Sequence, residues 1–198
     1  MSVTIEEIKR LRELTGVGMT DAKKALVEAN GDFDKALSEM RKKGLTKAEK
    51  KGEREAREGL VDSYVHSGRI GVLVEVNCET DFLVRGDDFR AFVHDVAMHI
   101  AAANPEYVSS DEIPADVQEE KKQELLASDA LAGKPADMAD KIVEGQLKKY
   151  FAERCLLDQP YIKNPDQTVG DLLKETIGKL GENLVVRRFK RFELGETA

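Results

Sequence analysis

Apolar residues recur every three or four positions through the first forty residues, the period of helices that bury one side. Ile5, Ile8, Leu11 and Leu14 make a first stripe. Thr4 and Glu7 form a capping box at its start, Val3 is placed to staple onto Ile8, and Gly16 ends it. A second helix is expected after the loop Thr15-Gly16-Val17-Gly18-Met19, with Thr20 as its cap and Ala22, Ala25, Leu26 and Ala29 on one face. A third starts at Asp32, buries Phe33, Ala36, Leu37 and Met40, and ends in Arg41-Lys42-Lys43-Gly44. Basic residues in a last turn followed by Gly suit the helix dipole and a left-handed cap. Each stripe is narrow, so the three helices must pack on one another, which makes residues 1–44 a small bundle. Residues 45–58 lose the pattern: Thr46 and Glu49 can cap a helix, but only Ala48 and Ala56 are apolar on it. A helix polar all round is a solvated connector, and this stretch reads as a charged helical linker.

From residue 59 onward the period shortens to two. Segments 60–66 and 69–76 alternate as strands and are joined by Ser67-Gly68, a two-residue hairpin signal. Ile70, Val72, Val74 and Val76 share one face. A third strand is expected over 184–193. Between them a helix with Asp87 as cap carries Phe89, Phe92, Val93, Val96, Ala97, Ile100 and Ala101 and stops at Asn104-Pro105. Pro114 opens a charged helix toward Leu131; Ile142, Val143, Leu147, Tyr150 and Phe151 stripe the next, and Leu172, Leu173, Ile177 and Leu180 the last. The expected fold is α+β: a three-helix bundle, then a core over 59–198 with a three-stranded antiparallel sheet, helices and a helical hairpin. Helices of one chain cover one face of so small a sheet well, which leaves the other for a second copy.

Charge and chemistry narrow the function. Charged residues are 35% of the 198, and 31 basic against 38 acidic side chains leave a net charge of −7, which argues against a general nucleic-acid binder. Arg187, Arg188, Lys190 and Arg191 do not line up: alternation places Arg187 and Arg191 opposite to Arg188 and Lys190. There is no phosphate loop, no nucleophile elbow and no H-E-x-x-H, and His94 and His99 lie five apart, on different sides of a helix. No enzyme, cofactor or metal is expected. No apolar run reaches the length of a membrane span, the first residues carry no basic-then-apolar leader, and the two cysteines, Cys78 and Cys155, form no CxxC pair. A reducing cytoplasm is the expected setting.

Two segments place polar and apolar side chains where packing has least use for them. They are 11–26, around Thr15-Gly16-Val17-Gly18-Met19, and 74–83, with Thr80-Asp81-Phe82 at a strand end. With Ala29-Asn30-Gly31-Asp32, Ala97-Met98-His99-Ile100-Ala101-Ala102, Gly133-Lys134-Pro135 and Arg191-Phe192-Glu193, they form an ordered set along nearly the whole chain. This set resembles the bacterial elongation factor Ts family, in its short form with a single core subdomain. The resemblance implies a non-enzymatic guanine-nucleotide exchange factor for elongation factor Tu that works as a homodimer without binding nucleic acid or membrane. It implies that Leu11, Arg12, Val17, Gly18, Met19 and Lys23 dock on the partner's nucleotide-binding domain. Thr80, Asp81, Phe82 and Leu83 then form the loop that dislodges the partner's Mg²⁺, and His66 matches a further contact, acting in a dimer from the other protomer. Thr20 stands where some members carry a second methionine, and Leu83 replaces a common valine. Three alternatives stay open from the residues alone, of which an RNA-contacting translation accessory rests only on the basic linker. The first three helices resemble a ubiquitin-associated bundle, which would suit a protein-binding adaptor without exchange activity. Thr80 could be a plain helix cap with Phe82 stapled into the core.

Overall fold

In the computed structural model, described here for residues 3–15, 17–40, 51–128 and 136–196, two apolar clusters form. The smaller lies among α1 (Ile5–Thr15), α2 (Met19–Glu28) and α3 (33–40). Glu7 N–H donates to Thr4 Oγ1 (3.2 Å) and Thr4 N–H to Glu7 Oε2 (2.8 Å), the reciprocal box that starts α1. The first stripe is only half buried: Ile8 and Leu11 enter the cluster, whereas Ile5 and Leu14 are 67% and 52% exposed. Among the described residues the cluster takes in the middle of the stripe and leaves its two end members, Ile5 and Leu14, outside. Gly18, not Thr20, is the N-cap of α2; an extended backbone suffices there and no side chain completes it. Asp32 Oδ1 accepts from Lys35 N–H (3.0 Å) at the start of α3. Residues 41–50, where the basic helix end and most of the linker were expected, lie outside the described residues, as do Gly133-Lys134-Pro135. The chain re-enters at Lys51, turns through 52–54 and begins β1 at Glu58.

β1 (Glu58–His66), β2 (Ile70–Cys78) and β5 (Leu184–Glu193) form an antiparallel sheet in the order β1-β2-β5. Ser67 and Gly68 both hold positive φ (51° and 66°), and Arg69 N–H donates to His66 O (2.9 Å), which closes the turn joining β1 and β2. The inner face, Val72, Val74, Val76 and Cys78, meets Phe89, Phe92, Val93 and Val96 of α5 (Asp87–Ala103). Asp87 falls inside the first turn of α5, because Gly86 takes the N-cap position, and Asn104 closes the helix in the left-handed region (φ 47°). α6 (Ala115–Leu126) and α7 (Ala136–Ala152) stand as the expected helical hairpin, and Pro114 caps α6. A small hairpin absent from the sequence reading, β3 (Pro160–Tyr161) with β4 (Asn164–Thr168), leads into α8 (Val169–Leu180), where Thr168 and Asp171 make a second capping box. One turn-length helix, α4 (Asp81–Val84), joins β2 to α5.

The β2–β5 register shifts by one residue: Glu75 faces Arg188 and Val76 faces Val186, so Arg187 is the extra residue of a bulge. Alternation is interrupted at Arg187 alone; Arg191 faces opposite to Arg188 and Lys190, as expected. Arg191 lies beneath the sheet with its Nε donating to Ala101 O (3.3 Å), whereas Arg188 is exposed and its Nε donates to Glu75 Oε2 (2.7 Å), which holds the Glu75 carboxyl below its usual range.

His99 is the buried polar group of α5. Its Nδ1 accepts Ile162 N–H (3.3 Å) and its Nε2 faces Gln159 Oε1 (3.0 Å), a pattern met by a neutral ring with the proton on Nε2. Burial pulls its pKa below the usual 6.5. The unfolded chain takes up this proton as pH falls below about 6.5 while the folded chain resists it, so stability is intact above that pH and declines below it. The urea midpoint is expected to drop between pH 7.5 and 5.5, and to drop less in His99→Gln; equal pH dependence in the two would contradict this role.

Candidate functional surfaces

The loop after β2 is held by carboxylate hydrogen bonds as well as by core packing. Gly181, in the left-handed region (φ 85°), ends α8 and turns Glu182 back toward the end of β2. There Glu182 Oε2 accepts the N–H groups of Glu79 (3.1 Å) and Thr80 (3.0 Å), and Thr80 Oγ1 donates to Glu182 Oε1 (2.6 Å). Thr80 Oγ1 in turn accepts Leu83 N–H (3.4 Å) as the cap of α4. Cys78 is buried beneath, its Sγ donating to Thr80 O (3.2 Å); burial, with the Glu182 charge adding, pushes the thiol up to about 11, so it stays protonated and inert.

With the loop fixed in this way, one turn of helix sorts its side chains. Leu83 and Val84 lean on the core, whereas Asp81 and Phe82 point outward. Asp81 Oδ2 bonds Arg85 Nη2 (2.9 Å) at the surface. Phe82 is 81% exposed, and the alternative of a ring stapled into the core is overturned. Thr80 is a cap, as that alternative also required, but the ring it precedes stays in solvent. An aromatic held in water on a braced turn costs solvation that a contact elsewhere can recover.

The other expected contact residues fall in three places. Arg12, Gly18, Met19 and Lys23 are exposed around the α1–α2 connection, and Val17 is half buried. Leu11 is fully buried and holds the bundle together, so it offers no surface; Leu14, one turn on, is exposed, as is Met19. Arg12 and Glu13 also line a cleft against Asp88, Lys179 and Leu180 of the core, where Lys179 Nζ pairs with Asp88 Oδ1 (2.9 Å). His66 sits at the far end of the β1–β2 hairpin, its Nδ1 3.0 Å from Tyr64 Oη. The length of β2 separates it from the Phe82 loop, roughly 25 Å at about 3.3 Å per residue, so the chain does not bring those two together. Glu182 was not foreseen: it lies a hundred residues from the loop it braces, and no local pattern announces such a bond.

Among the described residues no group of three or more His, Cys, Asp and Glu could hold a metal ion, and no helix is long and apolar enough to cross a membrane. The described residues thus carry an exposed edge at the α1–α2 connection and an exposed aromatic ring on a braced turn of the core. A family model described as elongation factor TS matches residues 21–196. Elongation factor Ts of Thermoanaerobacter sp. (strain X514) is 57% identical over 196 residues, 98% of this chain and 96% of that protein. The Caldanaerobacter subterraneus subsp. tengcongensis protein is 55% identical over 195 residues, 98% of each chain, and that of Geobacter sulfurreducens 54% over 197, 99% and 91%. The chain belongs to the elongation factor Ts family and is a translation elongation factor.

Proposed function

We propose that the chain is the guanine-nucleotide exchange factor of elongation factor Tu, and that it releases GDP without making or breaking bonds. Support comes first from family membership, and then from Phe82, an aromatic ring four-fifths exposed on a turn that carboxylate bonds hold rigid. Tight nucleotide binding in a GTPase depends on Mg²⁺ bridging phosphates and protein ligands. Burying a Phe ring in a crevice beside that ion supplies about 1.5–3 kcal/mol. Asp81 brings a carboxylate to the same place, where it competes for the cation. The α1–α2 edge, through Arg12, Val17, Gly18, Met19 and Lys23, holds the other side of the partner, and residues 1–44, 45–58 and 59–198 act as docking module, connector and core. Linkage makes the complex transient: a factor that weakens nucleotide binding is itself weakened by nucleotide to the same degree.

The outer face of the sheet supports a homodimer. Val61, Val65, Leu73 and Phe192 lie on it half or more exposed, around Gly71 and the Glu75–Arg188 pair. In such a dimer His66 contributes from the second protomer.

Release of fluorescent GDP from elongation factor Tu tests the reading. Acceleration on adding the factor is expected; binding that leaves release unchanged would overturn exchange in favour of an adaptor built on the N-terminal bundle.

A further inference from the structure

The residues that brace the Phe82 loop also grip the chain arriving from the N-terminal bundle. Asn183, next to Glu182 and 2% exposed, donates its side-chain N–H groups to the carbonyls of Arg54 (2.7 Å) and Gly52 (3.4 Å). Its backbone N–H goes to Glu79 Oε1 (2.6 Å), and the same Glu79 oxygen lies 3.5 Å from Arg54 Nη1. Glu79 and Glu182 thus exchange bonds across the gap, each carboxylate accepting backbone N–H from the other's segment. Three stretches far apart in sequence, 52–54, 79–80 and 182–183, close into one ring, in which the bonds to the Glu79 and Glu182 carboxylates are charge-assisted and those from the Asn183 amide to the strap carbonyls are neutral. The ring gives a connected route from the strap at 52–54 to Asn183 and Glu79, and through Glu79 and Glu182 to Thr80, the cap beneath Phe82.

We propose that Glu79, Glu182 and Asn183 form a latch that couples the strap at 52–54 to the Phe82 loop, so that the order of the loop depends on the strap. These are positioning residues and need touch no partner. Coupling through them rests on the exchange-factor reading for its purpose, but the latch itself is a property of the free protein. With the strap latched, the entropy of ordering the loop is already spent before the partner arrives, which is the advantage of pre-organisation.

Hydrogen exchange on the full-length protein tests this without any partner. Glu182→Gln directly alters only the bonds to residues 79 and 80, and Asn183→Ser directly alters the bonds to 52 and 54. A latch predicts that each substitution raises exchange about tenfold in both the 51–57 and the 78–83 peptides, as loss of one charge-assisted or buried bond implies. Rises confined to the segment that each residue touches would overturn coupling, and so would an equal rise in α5, which signals general loss of the core. In GDP-release assays Glu182→Gln is expected to lower the maximal stimulated rate about tenfold while the half-maximal concentration stays within about twofold. A simple loss of folded protein would not give that split. If the wild-type chain fails to stimulate release, the exchange reading falls while the exchange-protection result still decides the latch.

Discussion

Phe82→Ala is expected to slow GDP release at saturating factor by roughly 10–200-fold, the equivalent of about 1.5–3 kcal/mol of ring burial on the partner. The fold supplies the control. The ring is 81% exposed, and the cap of α4 and the Glu182 bonds depend on the backbone and Thr80, not on residue 82. The variant should therefore unfold within about 0.5 kcal/mol of wild type. Thermal melting and stimulated release, measured on the same preparation, check both halves. Unchanged release at saturating factor would remove Phe82 from the mechanism.

The second large effect concerns the sheet. Wild-type protein at micromolar concentration is expected to scatter light with twice the mass of one chain, and Leu73→Glu with the mass of one. Leu73 sits on the central strand, on the outer face, and pairs with Lys190 of β5. A glutamate there gains a cross-strand partner of opposite charge and leaves the single chain unharmed. In a dimer closed through this face it adds two carboxylates to the buried surface, a penalty of several kcal/mol per ion. Sheets packed face to face need interdigitating side chains about 10 Å apart, and Val61, Val65, Leu73 and Phe192 are placed to supply them. A monomeric mass for the wild-type chain would contradict the homodimer.

How far the sequence spoke depended on how local the signal was. β5 was expected over the residues it occupies, and the β1–β2 turn at Ser67-Gly68, because alternation and left-handed turn residues act within a few positions. The stripes of α5 and α8 were legible for the same reason. The side-chain caps expected at Thr20 and Asp87 do not form, because the extended backbone of Gly18 and Gly86 meets the requirement one or two residues earlier. β3 is two residues long and β4 begins Asn-Pro, too short and too polar for any period to register. The bulge at Arg187 and the bracing of Thr80 by Glu182 are long-range events that leave no mark on either segment alone. For Phe82 the residues by themselves permitted a core staple; its exposure emerges only once Leu83 and Val84 occupy the core side of the turn.

The central claim is that this chain empties a GTPase of GDP repeatedly without being consumed. Elongation factor Tu loaded with fluorescent GDP should be mixed with excess unlabelled GDP and about one-twentieth as much factor, and the fluorescence followed. The account predicts that the whole labelled pool exchanges, far faster than without factor, because each complex dissociates once nucleotide rebinds. Release at the unstimulated rate, or release limited to one molecule per factor, would contradict it.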